Sequence, residues 1–178
     1  MTRETPLEGC ILLDTSYVFN HQNFKVVRPM SQSELNECGI KFEIQETYFS
    51  SSQYRVIRGL HFMLPPATAD RVVMCIEGGI IDFVIDLRTT SKSYLKSFSV
   101  HLTEDNYTSI FVPGGLAHGF ATLTEKALVL YQSSKLYDSR YDSGIRWDSV
   151  GFEWPVADPI LSDRDLALPP LSKFESPF

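Results

Sequence analysis

The 178-residue sequence predicts an all-β sandwich or barrel. Three observations carry that expectation. Short apolar runs, rich in β-branched and aromatic residues, recur along the chain and several alternate with period two. Breakers such as Pro65-Pro66, Gly78-Gly79 and Pro113-Gly114-Gly115 separate them. Helix signals are few, and many short strands joined by close turns pack best as two sheets or one closed sheet.

The elements follow in order. CILLD (10–14), FKVVR (24–28) and IKFEI (40–44) are the first strand candidates. Between the last two, Ser31-Gln32-Ser33-Glu34 fits a capping box, Leu35 follows, and Gly39 closes a short helix. YRVIRGLHFM (54–63), RVVMCIE (71–77) and IIDFVIDL (80–87) come next, then LKSFSVHL (95–102), SIFVP (109–113), GFATL (119–123) and ALVLYQSS (127–134). From Trp147 the chain is rich in Pro and Trp with little periodicity, so this tail is expected to wrap over the barrel, with a second short helix beginning at Ser162. There is no internal repeat and no interdomain linker, so 1–178 reads as one domain.

Composition narrows the function. Apolar residues are 43% and charged residues 21%, the balance of an ordinary globular chain. A net charge of -6 argues against general nucleic-acid binding, which needs a basic face, but leaves room for a local basic pocket. No apolar run approaches the roughly 18 residues of a membrane span, and the N-terminal MTRETPLEGC lacks a secretory pattern. Cys10, Cys38 and Cys75 have neither disulfide-framework nor zinc spacing, so a reducing cytoplasm is the expected home.

Two segments carry groups that are costly to bury. In YRVIRGLHFMLPP (54–66), Arg58 and His61 flank Gly59 inside an otherwise apolar strand. Strict alternation puts Arg58 and His61 on opposite faces. A bulge at Gly59 would bring both to one side. FVPGGLAHGF (111–120) contains P-x-G-x-x-H at Pro113, Gly115 and His118, which resembles the second motif of the cupin jelly-roll barrels. In metal-binding cupins the first motif begins H-x-H, whereas here Met63 stands two residues after His61, so the ligand set falls short and no catalytic metal or other cofactor is expected.

Together with GGIIDFVIDLR (78–88), LVLYQSS, IRWD (145–148), FEWP (152–155) and PILSDRD (159–165), these motifs make the chain resemble the dTDP-4-dehydrorhamnose 3,5-epimerase family, metal-free cupins of jelly-roll (double-stranded β-helix) fold. The resemblance runs from about Gln45 to Asp165. It implies an epimerase of nucleoside-diphosphate 4-keto-6-deoxyhexoses, serving deoxysugar and surface-polysaccharide synthesis, and a homodimer in which an N-terminal strand of one subunit joins the sheet of the other. Such chemistry needs a base, an acid on the opposite face of the sugar, and a positive or hydrogen-bonding group for the enolate oxygen. By resemblance, His61 is the base, Asp165 holds its ring and Tyr131 is the opposing acid. Arg58, Gln45, His118 and Tyr137 are substrate-pocket residues, His118 a second pocket histidine.

The chain departs from the family pattern in three places. Arg71 stands where the family has an enolate-stabilising lysine, exchanging a point charge for a planar fork. VFNHQNFKVV (18–27) lacks the arginine that helps hold the diphosphate; Gln22 or Asn23 takes its place, with Lys25 or Arg28 as substitutes. IQETYFSSS (44–52) keeps Gln45 but differs at Glu46, Thr47 and Tyr48. These changes leave the nucleotide open between dTDP and CDP, and the chemistry open between inversion at C3 and at both C3 and C5. A nucleotide-sugar 3,4-ketoisomerase and a sugar-nucleotide-binding cupin without turnover are the alternatives.

Overall fold

The computed structural model describes residues 2–15 and 17–178. Among them, two antiparallel sheets face each other. The larger runs in the order β1 (Thr2–Glu4), β2 (Ile11–Asp14), β10 (Thr108–Val112), β7 (Arg71–Glu77), β12 (Lys126–Ser133), β5 (Glu46–Gln53). The smaller runs β13 (Asp142–Gly144), β6 (Ile57–Met63), β11 (Leu116–Thr122), β8 (Gly79–Asp86), β9 (Ser97–Thr103). From β5 onward the chain crosses between the two sheets at nearly every connection, only β8 and β9 being successive in one sheet, which winds it into the all-β jelly roll expected. A separate hairpin pairs β3 (Tyr17–His21) with β4 (Phe24–Arg28).

Strand alternation fills the space between the sheets. Val73, Ile110 and Val129 from the larger sheet meet Ile80, Val84 and Phe120 from the smaller, all essentially without solvent exposure. Behind the smaller sheet lies a second layer. Phe62, Phe83 and Ile85 point outward and are covered by Phe152, Trp154, Phe174 and Phe178, so the tail does wrap the barrel. Burying aromatic rings of this size supplies the main reason for the tail to stay docked. Trp154 also donates its indole N–H to the Trp147 carbonyl.

The early helix forms as its capping box requires. In α1 (Gln32–Glu37) the Ser31 hydroxyl accepts from the Glu34 amide while the Glu34 carboxylate accepts from the Ser31 amide, and Leu35 packs with Phe42, Val72 and Phe111 on the outer face of the larger sheet. One strand expectation fails here: 40–44 forms no strand. Ile40 and Phe42 are apolar because they pin a loop beneath α1, and that packing imitates strand alternation. The true strand begins at Glu46. β3 was also not anticipated, and all five of its residues are exposed.

Candidate active site

A cavity of about 400 Å³ opens between the sheets at one end of the barrel, within the range of roughly 300–1,000 Å³ usual for small-molecule sites. Both Arg58 and His61 line it. The reason is a bulge in β6. Against β11, His61 pairs with His118 and Arg58 with Phe120, so three residue steps on β6 oppose two on β11. The extra residue resets the alternation: Ile57 and Leu60 go outward, Arg58 and His61 inward. Gly59 makes this possible. Its φ is +120°, and a Cβ there would sit 2.7 Å from the Gly119 Cα and 2.8 Å from the His118 carbonyl oxygen.

His61 is held from behind. A short helix, α2 (Asp163–Leu166), starts at Ser162, whose hydroxyl accepts from the Asp165 amide at 3.1 Å. That cap aims the buried Asp165 carboxylate at His61 Nε2, and the two are hydrogen-bonded. The pairing puts the ring proton on Nε2 and leaves the Nδ1 lone pair free, an assignment that follows from the partner. Burial lowers the His61 pKa from 6.5, outweighing the upward pull of Asp165. Burial pushes Asp165 upward, but its bonds to His61 and Ser162 outweigh this and leave it below the usual carboxylate value. At neutral pH the pair is therefore a neutral imidazole beside a carboxylate, the state of a general base.

Tyr131 comes from the opposite sheet. It lies in the middle of β12, points inward, and lines the same cavity. Burial drives its pKa upward, with the Ser50 hydroxyl beside it offsetting part of the effect, so the phenol stays protonated. Its ring stacks on Tyr48, with centroids 4.7 Å apart and planes 10° apart, and meets His118 edge-on at 6.2 Å. His118 belongs to a second His–Asp pair: its Nε2 lies 2.6 Å from Asp82 Oδ2, and both are buried. Burial pushes the Asp82 carboxyl up, partly countered by His118. Asp82 is not among the residues expected from the sequence. Its signal was a carboxylate within IIDFVIDL, a run in which every strand residue is buried.

The cavity is electropositive although the chain is acidic. Arg58, Arg71, Lys135 and Arg164 line it against Glu46 and Asp142. Arg164 is paired with Asp142 at 2.7 Å, and Tyr137 donates its hydroxyl to the same carboxylate at 3.1 Å. Among the described residues, the side chains of Arg58, Arg71 and Lys135 have neither a hydrogen bond nor an ion pair within the chain. Arg71 reaches the cavity because it starts β7 opposite Ser133 of β12. Tyr137 stands at the rim, mostly exposed. Gln45 is the exception among the expected residues. It does not line this cavity; Glu46 does, and Gln45 lines the adjoining, more open depression together with Phe42 and Lys135. The physical reason is register, since β5 begins at Glu46 and its cavity-facing positions are Glu46, Tyr48 and Ser50. Among the described residues, no three His, Cys, Asp or Glu side chains converge as metal ligands.

The arrangement thus offers a neutral imidazole from one sheet, a protonated phenol from the other and, in the same cavity, two guanidinium groups without a partner among the described residues. Comparison with known proteins gives the family. The family model described as dTDP-4-dehydrorhamnose 3,5-epimerase matches residues 4–173. The enzyme of that name from Methanothermobacter thermautotrophicus is 33% identical over 173 residues, covering 94% of this chain and 92% of its own. The one from Salmonella typhimurium is 33% identical, covering 96% and 94%. The crystal structure of the Bacillus anthracis dTDP-4-dehydrorhamnose 3,5-epimerase with TDP and PPi bound superposes with a TM-score of 0.92 at 31% identity, covering 96% of this chain and 99% of that one. A jelly roll with this cavity, matched nearly end to end in sequence and in shape, is a deoxysugar epimerase that belongs to the dTDP-4-dehydrorhamnose 3,5-epimerase family.

Proposed function

We propose that the chain inverts C3, or both C3 and C5, of a dTDP-linked 4-keto-6-deoxyhexose, using His61 and Tyr131 as opposed base and acid. The observation that carries this reading is that the imidazole and the phenol reach one cavity from opposite sheets. A sugar ring lying between them presents one face to each.

His61 takes the proton from the carbon next to the C4 ketone, and the electron pair moves into the carbonyl to give an enolate. Arg71 or Arg58 hydrogen-bonds the enolate oxygen, where a preorganised cation is worth most. Tyr131 then gives its proton to the other face of the same carbon, and solvent restores the phenol while His61 returns its proton to solvent. Asp165 keeps the imidazole in the reactive tautomer throughout. Arg58, Lys135 and Arg164 supply positive charge for the diphosphate, and His118 with Asp82 supports the Tyr131 ring. An arginine in place of the family lysine stabilises charge without exchanging a proton.

TDP bound to the Bacillus anthracis relative favours dTDP over CDP as the nucleotide. Incubation with dTDP- and CDP-linked 4-keto-6-deoxyglucose in deuterated water tests the whole reading. Deuterium at C3 of an inverted product, faster with dTDP, is expected. No label with either, or a product ketone at C3, contradicts it. Label at C5 as well distinguishes double from single inversion.

The reading includes a cytoplasmic homodimer. Three free cysteines suit a reducing compartment. Phe49 on the edge strand β5 is 67% exposed, and the β3–β4 hairpin exposes Phe19, Phe24 and Val26, apolar surface that a second copy would cover. Light scattering should give twice the chain mass; a monomer at micromolar concentration counts against it.

A further inference from the structure

We infer that Tyr48 is a positioning residue for the acid Tyr131, holding the phenol in the one orientation from which it protonates the carbon opposite His61. The inference rests on the proposed roles of His61 and Tyr131 and extends them to a residue that the family resemblance does not supply.

Tyr48 and Tyr131 are direct partners across the antiparallel pair of β5 and β12, and both point into the cavity. Side chains facing each other in this way are close enough for their rings to interact. Here they lie flat on one another, 4.7 Å between centroids and 10° between planes. The opposite constraint comes from His118, which meets the Tyr131 ring edge-on and is itself tied to Asp82. The Tyr131 ring is thus held by Tyr48 stacked on its face and by His118 set nearly perpendicular to it. A tyrosine side chain has two torsions, and these two contacts restrict both.

Core packing does not account for Tyr48. β5 is the edge strand of its sheet, and its other cavity-facing residues near Tyr48 are the polar Glu46 and Ser50. Tyr48 is 40% exposed, too much for a core ring. Among the described residues its one stacking partner is the residue that needs a fixed orientation. A proton donor displaced by about 1 Å loses rate on the order of a hundredfold, so a flat wall against the acid has a direct use.

The consequence separates two halves of the reaction. Proton abstraction belongs to His61, on the other sheet, and does not need the stack. Reprotonation on the far face does. When the stack is lost, the enolate still forms, the proton on His61 exchanges with solvent, and it returns to the face it left. The substrate then takes up deuterium without inverting.

The test compares Tyr48→Ala, Tyr48→Leu and Tyr48→Phe with the unaltered protein, following inversion and deuterium uptake together by NMR. Tyr48→Leu keeps side-chain bulk on the strand and guards against simple misfolding of Tyr48→Ala. Inversion should fall at least tenfold in the Ala and Leu variants, while uptake into uninverted substrate stays within twofold of the original total exchange. Tyr48→Phe, which keeps the flat face, should retain both. Wild-type inversion in Tyr48→Ala and Tyr48→Leu would overturn the inference. So would a proportional loss of inversion and exchange, or a Tyr48→Phe variant as impaired as Tyr48→Ala. An unaltered protein that exchanges no deuterium would instead remove the enolate reading on which the inference stands.

Discussion

His61 shows how neighbours decide the chemistry of one side chain. Its burial favours the neutral ring, Asp165 fixes where the proton sits, and the two effects together yield a base ready at neutral pH. Because the folded pKa lies below the ordinary 6.5, kcat/KM should rise with pH through a midpoint under 6.5. Because burial pushes the Tyr131 phenol upward, it should not add an alkaline limb below about pH 10. A pH–rate profile checks both, and a midpoint above 6.5 speaks against this environment. The same shift has a linked effect on stability: a depressed histidine pKa stabilises the fold above the unfolded value and loses that contribution as pH falls. Arg58, His61, Arg71, His118, Tyr131 and Tyr137 line one cavity, with Asp165 bonded to His61, and most of them sit in a distinctive local pattern such as RGLHF or LSDRD; Gln45 falls outside that cavity. Asp82 and Tyr48 escaped because their roles depend on what faces them from other strands.

At the scale of elements, β6 and β5 explain what the sequence could and could not show. β6 was legible as a strand, yet its facing was not, since alternation alone separates Arg58 from His61. The bulge at Gly59 decides it, and the bulge in turn depends on the close approach of Gly119. Gly59→Ala should therefore cost about 2 kcal/mol or more, combining left-handed strain with a backbone collision. Gly39→Ala, at φ +74° with no atom within 4 Å of the new Cβ, should cost only about 1 kcal/mol. Denaturant unfolding of the two variants tests the contrast, and equal costs would mean the bulge is not tight. β5 was not legible because its inward face lines a polar cavity instead of the core. A strand whose inward positions are Glu46, Tyr48, Ser50 and the buried Ser52 sets one aromatic ring among polar residues and has no apolar alternation to read.

Over the whole molecule, the segments outside the barrel are fixed by a buried polar knot as well as by aromatic packing. Asp86, with no solvent exposure, accepts hydrogen bonds from the Arg88 amide, the Arg88 guanidinium, Ser91 and Ser93, while Arg88 also donates to the Glu8 carbonyl. The N-terminal segment is thereby tied to the turn after β8. Burial raises the Asp86 pKa, but the bonds from Arg88 and the serines outweigh it and bring it to about 2. A carboxylate depressed in this way stabilises the fold above its unfolded value by about 2 kcal/mol and loses that as pH falls toward 2. Asp86→Asn should lower stability by a similar amount at pH 7, with the gap closing below pH 4. A constant gap across that range would show that charge is not what Asp86 contributes. The overall architecture was readable from strand-rich composition and turn signals, and the docked tail from its aromatic residues. The β3–β4 hairpin was only half legible: both strands are almost wholly exposed, so neither has an inner face to impose a pattern, and β4 was read only from its run of apolar and β-branched residues.

In the proposed reaction, abstraction and reprotonation are divided between residues on two facing sheets. Deuterium exchange and inversion measured in parallel for His61→Asn and Tyr131→Phe test it most directly. His61→Asn should lose both, whereas Tyr131→Phe should keep exchange and lose inversion. A folded His61→Asn protein that still exchanges, or a Tyr131→Phe protein that still inverts at the original rate, would contradict it.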